Sequence, residues 1–398
     1  MSYIVIKLNL KNTFGYMSII VCLYLMFCYF QNTVSDKLRS TVIVQLVLTI
    51  TCLFVILFGN RRLYINRTIG TGILLSTIIT LRCFLDFQAN IPFFNILGKA
   101  FLWILVVIAM FIFATKAKKK MILVLTSLFC LIIMLSFLMS LEGYGEWVSN
   151  KDYTMTNVYY ILCFLPFIID IDSKWIKRIF TVLIFLCVFL SFKRSAIVIS
   201  AVIIFTMILL FFKNEKRRNT VLMLVIVFTI AIVTIPILLE RANMQSIYSM
   251  WLERFSDSNT RGTILLDVWN MQIESSFFEW IFGHGYNAVM NNIGYGLSAH
   301  NDYLEILYDY GLIAFVLFIA FIVNMIKYCK RLKRFDCKYY KGMIISLEIF
   351  IVASIPSHMY TYSTYFIILS LYWGYCMALS EECIGEQIQE GRRRKLYS

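Results

Sequence analysis

The chain has 398 residues, 60% of them apolar and 15% charged, with a mean hydropathy of +0.76 and a formal net charge of +14. Soluble domains sit near about 45–50% apolar and about 25% charged, so an ordinary soluble enzyme is excluded and a polytopic membrane protein is indicated. In a soluble chain the positive charge would point to nucleic acid; here it belongs to loops held at one membrane face, and no nucleic-acid partner is expected.

The first apolar run, Phe14 to Phe30, follows Lys7 and Lys11 as a signal sequence would. Gln31-Asn32-Thr33-Val34 offers no small-x-small cleavage site, so the run reads as an uncleaved span. Further spans fall near 41–58, 68–86, 96–114, 121–140, 154–170, 175–192, 195–212 and 220–239. After a long polar segment come spans near 303–326, 343–358 and 362–380. The expected fold is all-α: a polytopic membrane helical bundle of about twelve transmembrane helices with one large extracytoplasmic loop containing an interfacial helix. Four prolines and few polar linkers favour a single integral membrane domain over 1–398, with the loop at 240–302, the last three helices at 303–380 and a basic cytoplasmic tail at 381–398.

Orientation follows from the cations. With the N-terminus inside, most of the 37 Lys and Arg lie in cytoplasmic segments, including Lys118-Lys119-Lys120, Lys216-Arg217-Arg218 and the run Arg392 to Lys395. Both termini are then cytoplasmic, and the segment 240–302 and the three histidines, His284, His300 and His358, lie outside. The eleven cysteines show neither metal-ligand nor disulfide spacing and read as small apolar residues or reduced thiols. No internal repeat is visible, nor the paired Gly/Pro-broken helices that mark many transporters.

Within the outer segment, Ser258-Asn259-Thr260 supplies cap residues, and Ile264, Leu265, Val268, Trp269 and Ile273 recur at helical spacing. Arg261 sits in the first turn of this helix, which would lie along the membrane surface. Further on, Ser298 reads as the cap of a helix opened by His300, with Tyr303, Leu304, Leu307 and Gly311 following at spacings of three and four. That geometry puts His300 on the face of Leu304 and Leu307.

An imidazole titrating near neutrality suits a general base, although a structural histidine bonding a loop carbonyl fits the same position. Arg194 follows Lys193 in a short break between two apolar spans. It either snorkels at a helix end or binds an anionic headgroup, whose phosphate oxygens match a guanidinium bidentately. Arg261 carries the same two readings. His284, between Gly283 and Gly285, reads as part of a tight turn or as a second site group, and His358, beside the turn at Pro356, as a group lining the same outer cavity. Asp170-Ile171-Asp172 looks like a metal-holding acidic pair but lies inside without a nucleotide-binding domain, so it reads as a loop; Arg82 and Asp86 read as an i, i+4 pair.

Arg194-Ser195 between two helices, Thr260-Arg261 followed by Trp269, Phe282-Gly283-His284-Gly285, and His300-Asn301-x-x-Leu304-Glu305 through Gly311 resemble the O-antigen ligase/Wzy polymerase family. The motifs span roughly Ser191 to Gly311; the N-terminal half matches in hydropathy alone. The resemblance implies metal-independent, inverting glycosyl transfer on the outer face of a bacterial plasma or inner membrane, from a glycan carried on undecaprenyl pyrophosphate. By that resemblance His300 activates the acceptor hydroxyl, Arg194 and Arg261 bind the pyrophosphate and stabilise its charge as it leaves, and His284 and Asn301 join them in holding substrate. No metal and no cofactor are implied. The partners are the lipid-linked donor and acceptor, with a chain-length regulator and a flippase beside them in the pathway. The expected function is a surface-polysaccharide polymerase making O-antigen, capsule or exopolysaccharide. One alternative is an O-antigen ligase that hands the glycan to a lipid or protein acceptor. A further alternative is a polysaccharide flippase or transporter, which needs no long outer loop.

Overall fold

The computed structural model describes residues 10–32, 39–59, 65–85, 100–140, 158–191, 193–211, 223, 259–293, 298–360 and 363–397. Among them all regular structure is helical. In chain order the helices are α1 (Leu10–Asn32), α2 (Arg39–Phe58), α3 (Arg67–Leu85), α4 (Leu102–Phe113), α5 (Lys119–Ser140), α6 (Val158–Cys163), α7 (Leu165–Ile169), α8 (Lys174–Leu190), α9 (Arg194–Phe211), α10 (Asn259–Glu274), α11 (Phe277–Phe282), α12 (Ala288–Asn292), α13 (Asp302–Arg334), α14 (Tyr340–Ala353) and α15 (Ser363–Tyr397). Each expected apolar segment carries a helix except that at 220–239, which falls outside the described residues apart from position 223. By length and composition alone, Arg67–Leu85, Lys119–Met139 and Asp302–Arg334 are long and apolar enough to cross a membrane; several shorter apolar helices accompany them. The chain is a multi-pass membrane protein.

Helix α4 is apolar at every position, and a helix apolar all round has no face to give to water. Each of its 12 residues is accordingly buried, and α15 runs along it with α1, α2 and α3 packed around the pair. Gly374 allows the closest approach: a Cβ there would lie 2.3 Å from the Val107 carbonyl oxygen. Around this axis Trp103 meets the rings of Phe321, Tyr360 and Phe366, while Trp373 meets Phe321, Phe350 and Phe366 and donates its indole N–H to Ser346 at 2.9 Å. Aromatic packing thus ties α4, α13, α14 and α15 into one core. The opposite faces of the outer helices expose Ile43, Leu57, Leu85, Leu135, Val198 and Phe205, which suits lipid rather than water. Pro166 sits at the start of α7 and separates it from α6, because proline cannot donate the hydrogen bond that would continue the helix.

The bundle has two distinguishable polar ends. At one, Lys119 pairs with Asp172 at 2.6 Å, Lys116 with Glu386, and Arg331 with Glu381 at 2.9 Å. Asp170 accepts from the Tyr372 hydroxyl at 3.0 Å, so the acidic pair is a loop anchored to the bundle. The other end gathers the tip of α3, α10 to α12, the start of α13 and the turn after α14. Helix α15 continues without a break to Tyr397, so the basic stretch after 381 extends the last helix. All eleven cysteines are free thiols.

Candidate active site

Three acids, Asp302, Glu305 and Asp309, stand three and seven residues apart at the start of α13, which places them on one face of the helix. All are buried, at 0, 5 and 2% exposure, so each needs donors from another segment. Asp302 Oδ2 accepts from the Met359 and Tyr360 amides at 2.7 and 2.8 Å. Glu305 Oε2 lies 2.9 Å from His358 Nδ1. Asp309 Oδ1 accepts from the Val289 amide at 2.8 Å. The helix N-terminus favours carboxylates, and here they fasten the turn 354–360 and the start of α12 to a single rod. The Asp302 amide completes the junction by donating to the Ser354 carbonyl at 2.9 Å.

His300 lies beside this junction. Its ring sits 4.6 Å from that of His358, tilted by 39°, and its backbone is left-handed at φ 52°. Ser298 does not cap the helix: its Oγ meets His358 Nε2 at 2.5 Å. The cap is Asn301, whose side-chain oxygen accepts from the Leu304 amide at 3.0 Å. The helix therefore starts two residues later than expected, and His300 is a loop residue held against His358 rather than a member of the Leu304–Leu307 face. A left-handed backbone reverses the chain here, and histidine tolerates that region better than most side chains. His300 is partly exposed.

The expected span from 303 is also interrupted. Gly311 has φ 77° and ψ 179°, outside helical values, which sets Asp302–Tyr310 apart from the apolar rod that follows. Gly283 has φ 78°, and the two glycines interlock. A Cβ on Gly311 would lie 2.4 Å from the Gly283 nitrogen, and one on Gly283 would lie 2.3 Å from the Asp309 carbonyl oxygen. The amides of His284 and Gly285 donate to the Tyr308 and Asp309 carbonyls at 2.9 and 2.7 Å, using carbonyls that the helix break releases. Arg82, from α3, donates to the Phe282 and Gly283 carbonyls at 2.8 and 2.9 Å. Its expected partner Asp86 lies outside the described residues.

His284 fills the hollow of that turn. Its Nε2 meets Ser275 Oγ at 2.7 Å, its Nδ1 lies 3.5 Å from Glu279, and its ring stacks on Tyr308 at 4.1 Å. Burial pushes its pKa below the ordinary 6.5; Glu279 opposes that shift and Arg82 adds to it. Glu279 itself closes a capping box with Ser276, and those hydrogen bonds hold its carboxyl below the usual range.

Of the two arginines, Arg194 is the first residue of α9 and Arg261 stands in the first turn of α10. The placement of their side chains lies outside what the structure describes. Helix α10 buries Ile264 and Val268 in a small core with Ala288, Val289, Ile293, Ala299 and Tyr308, while Trp269 and Ile273 are exposed on its other side. Ile264 follows Arg261 by one turn and Ala299 precedes His300, so this core gathers the start of α10 and the His300 loop. The pairing of Glu305 with His358 was not foreseen from sequence. Its signal was present as an acidic i, i+3, i+7 series in an otherwise apolar stretch, which only makes sense if that face is buried against donors.

Compared with protein-family models, residues 179–319 match the family described as O-antigen ligase. The matched region runs from α8 through the first half of α13 and contains Arg194, Arg261, His284, His300, Asn301 and Glu305. No curated protein matches the chain significantly.

Proposed function

We propose, for a chain whose residues 179–319 form an O-antigen ligase/Wzy-type family domain, that it polymerises surface polysaccharide by joining repeat units carried on undecaprenyl pyrophosphate. A family of this kind implies a glycosyl-transfer enzyme acting on lipid-linked glycans in the membrane. The observation that carries the reading to these residues is a side-chain arrangement: a partly exposed imidazole, His300, held beside a buried carboxylate–imidazole pair.

In the proposed step, His300 removes the proton from an acceptor hydroxyl as that oxygen attacks the anomeric carbon from the face opposite the pyrophosphate. The new glycosidic C–O bond forms, the bond to the pyrophosphate oxygen breaks, and the departing lipid diphosphate carries the displaced electron pair. Arg194 and Arg261 neutralise that charge, and fixed cations at a developing anion contribute about 3 kcal/mol each to such a step. His284 and Asn301, assigned to substrate by the family resemblance, hold the turn and cap the helix beside His300. The end bearing Lys116, Lys119 and Arg331 is then cytoplasmic and the histidine end faces outward, as the positive-inside rule requires.

The test is polymer length. A deletion strain should carry single repeats on the final carrier, and His300→Ala or Arg261→Ala should fail to restore long chains at matched abundance of folded protein. Long chains accumulating on the lipid carrier would replace this reading with ligation to a lipid or protein acceptor. Units retained on the cytoplasmic side would indicate transport.

A further inference from the structure

We propose that His358 is a positioning residue for His300: paired with Glu305, it carries the positive charge of the two-imidazole cluster and so keeps His300 neutral. The inference rests on the glycosyl-transfer reading only for what a neutral His300 is used to do. Its geometry stands independently.

Two imidazoles with ring centres 4.6 Å apart, one of them buried, will not both hold a proton readily, since like charges at that range disfavour each other. The surroundings decide which one is charged. Glu305 Oε2 is 2.9 Å from His358 Nδ1, and both side chains are over nine-tenths buried. Asp302, one turn before Glu305, is held at the amides that follow His358. One carboxylate of α13, Glu305, is thus paired directly with the His358 ring, and a second, Asp302, is fixed at the backbone just beyond it. Ser298 Oγ, 2.5 Å from Nε2, accepts the remaining N–H of the imidazolium. With a partner at each nitrogen the His358 ring cannot turn, and it presents a fixed charged face to His300.

The consequence for His300 has a definite sign. A neighbouring cation disfavours a second proton, so the pKa of His300 falls and its neutral form persists to lower pH. A base is competent above its pKa and loses competence as pH drops through it. Removing the His358 charge should raise the His300 pKa and move the acid limb of activity upward. Breaking the pair from the other side, with Glu305→Gln, should act in the same direction, because a neutral amide no longer holds the proton on His358. If the pair were only a staple between α13 and the turn 354–360, neither change would alter His300 protonation.

The chain contains only three histidines, so each can be followed separately. Hydrogen–deuterium exchange at the imidazole C2 position, read by mass spectrometry across pH on the purified full chain, gives a midpoint for each without any glycan. In the wild type, His300 should titrate at lower pH than His358. In His358→Phe and Glu305→Gln, the His300 midpoint should rise by about one pH unit. The His284 midpoint should not move in either variant, and Ser298→Ala should leave that of His300 within a few tenths. A wild-type order with His358 below His300 would overturn the proposal without any variant having to fold, and so would an unmoved or lowered His300 midpoint in either variant. Loss of polymer in His300→Ala with unmoved midpoints would leave the polymerase reading standing and remove this one; correct midpoints with polymer retained would do the reverse.

Discussion

His284 and His300 stand on either side of the same glycine-rich stretch, and the structure treats them oppositely. His284 is enclosed by Ser275, Glu279 and the Tyr308 ring, in a turn that Arg82 clamps from a distant helix. Its nitrogens serve the fold. His300 stands on a left-handed backbone next to a second imidazole whose own partners are buried. The lesson is that the segments packed against one glycine-rich stretch give its two histidines quite different surroundings. In this loop Asn301 caps the helix, Asp302 anchors the following turn and Ser298 holds His358.

The contrast makes separable predictions. The turn should fail through folding. Gly311→Ala places a methyl group against backbone at a positive φ, and we expect a loss of about 4 kcal/mol or more, seen as aggregation in size-exclusion chromatography after detergent extraction. A monodisperse Gly311→Ala protein would show that the glycine interlock is not needed. Arg82→Ala removes two charge-assisted hydrogen bonds to carbonyls and should cost about 2 kcal/mol, measurable as a lower melting temperature with the bundle otherwise intact.

His284→Gln loses the ring stack on Tyr308 and should cost about 1 kcal/mol while long polysaccharide is still made. Complete loss of product in that variant, at normal stability, would erase the distinction between the two histidines. The smallest effect is in pH. His284 titrates below 6.5 in the folded protein, so the unfolded chain takes up its proton first as pH falls. The stability it contributes is full above about pH 6.5 and is lost as pH drops toward its folded value. His284→Gln should therefore flatten the acid side of the melting-temperature profile, and an unchanged slope would place that dependence on other groups.

Much of this was legible beforehand because membrane segments declare themselves through composition. The apolar runs and a helix beginning near Arg261 were readable from spacing. The start of α13 was misread by two residues, since serine and asparagine are both good caps and only the three-dimensional position of His358 shows that Ser298 is engaged elsewhere. Gly311 fell at helical spacing from Leu307 and so read as part of a continuous helix. Its break depends on the approach of Gly283, a contact between segments that no local pattern encodes. The bonds from Arg82 to the Phe282 and Gly283 carbonyls were out of reach for the same reason: an i, i+4 acid is visible in sequence, whereas a carbonyl two hundred residues away is not.

The acidic series on α13 acts as a ruler. Asp302, Glu305 and Asp309 each engage a different segment, and an α-helix turns by about 100° per residue. One residue inserted between Glu305 and Asp309 would swing the first two acids about a quarter turn away from the amides of Met359 and Tyr360 and from His358, while the glycine interlock kept Asp309 in place. Loops elsewhere can lengthen at small cost, but the distance from Asn301 to Gly311 has to be counted in whole residues. Insertions and deletions should therefore be tolerated on either side of this short rod and never within it.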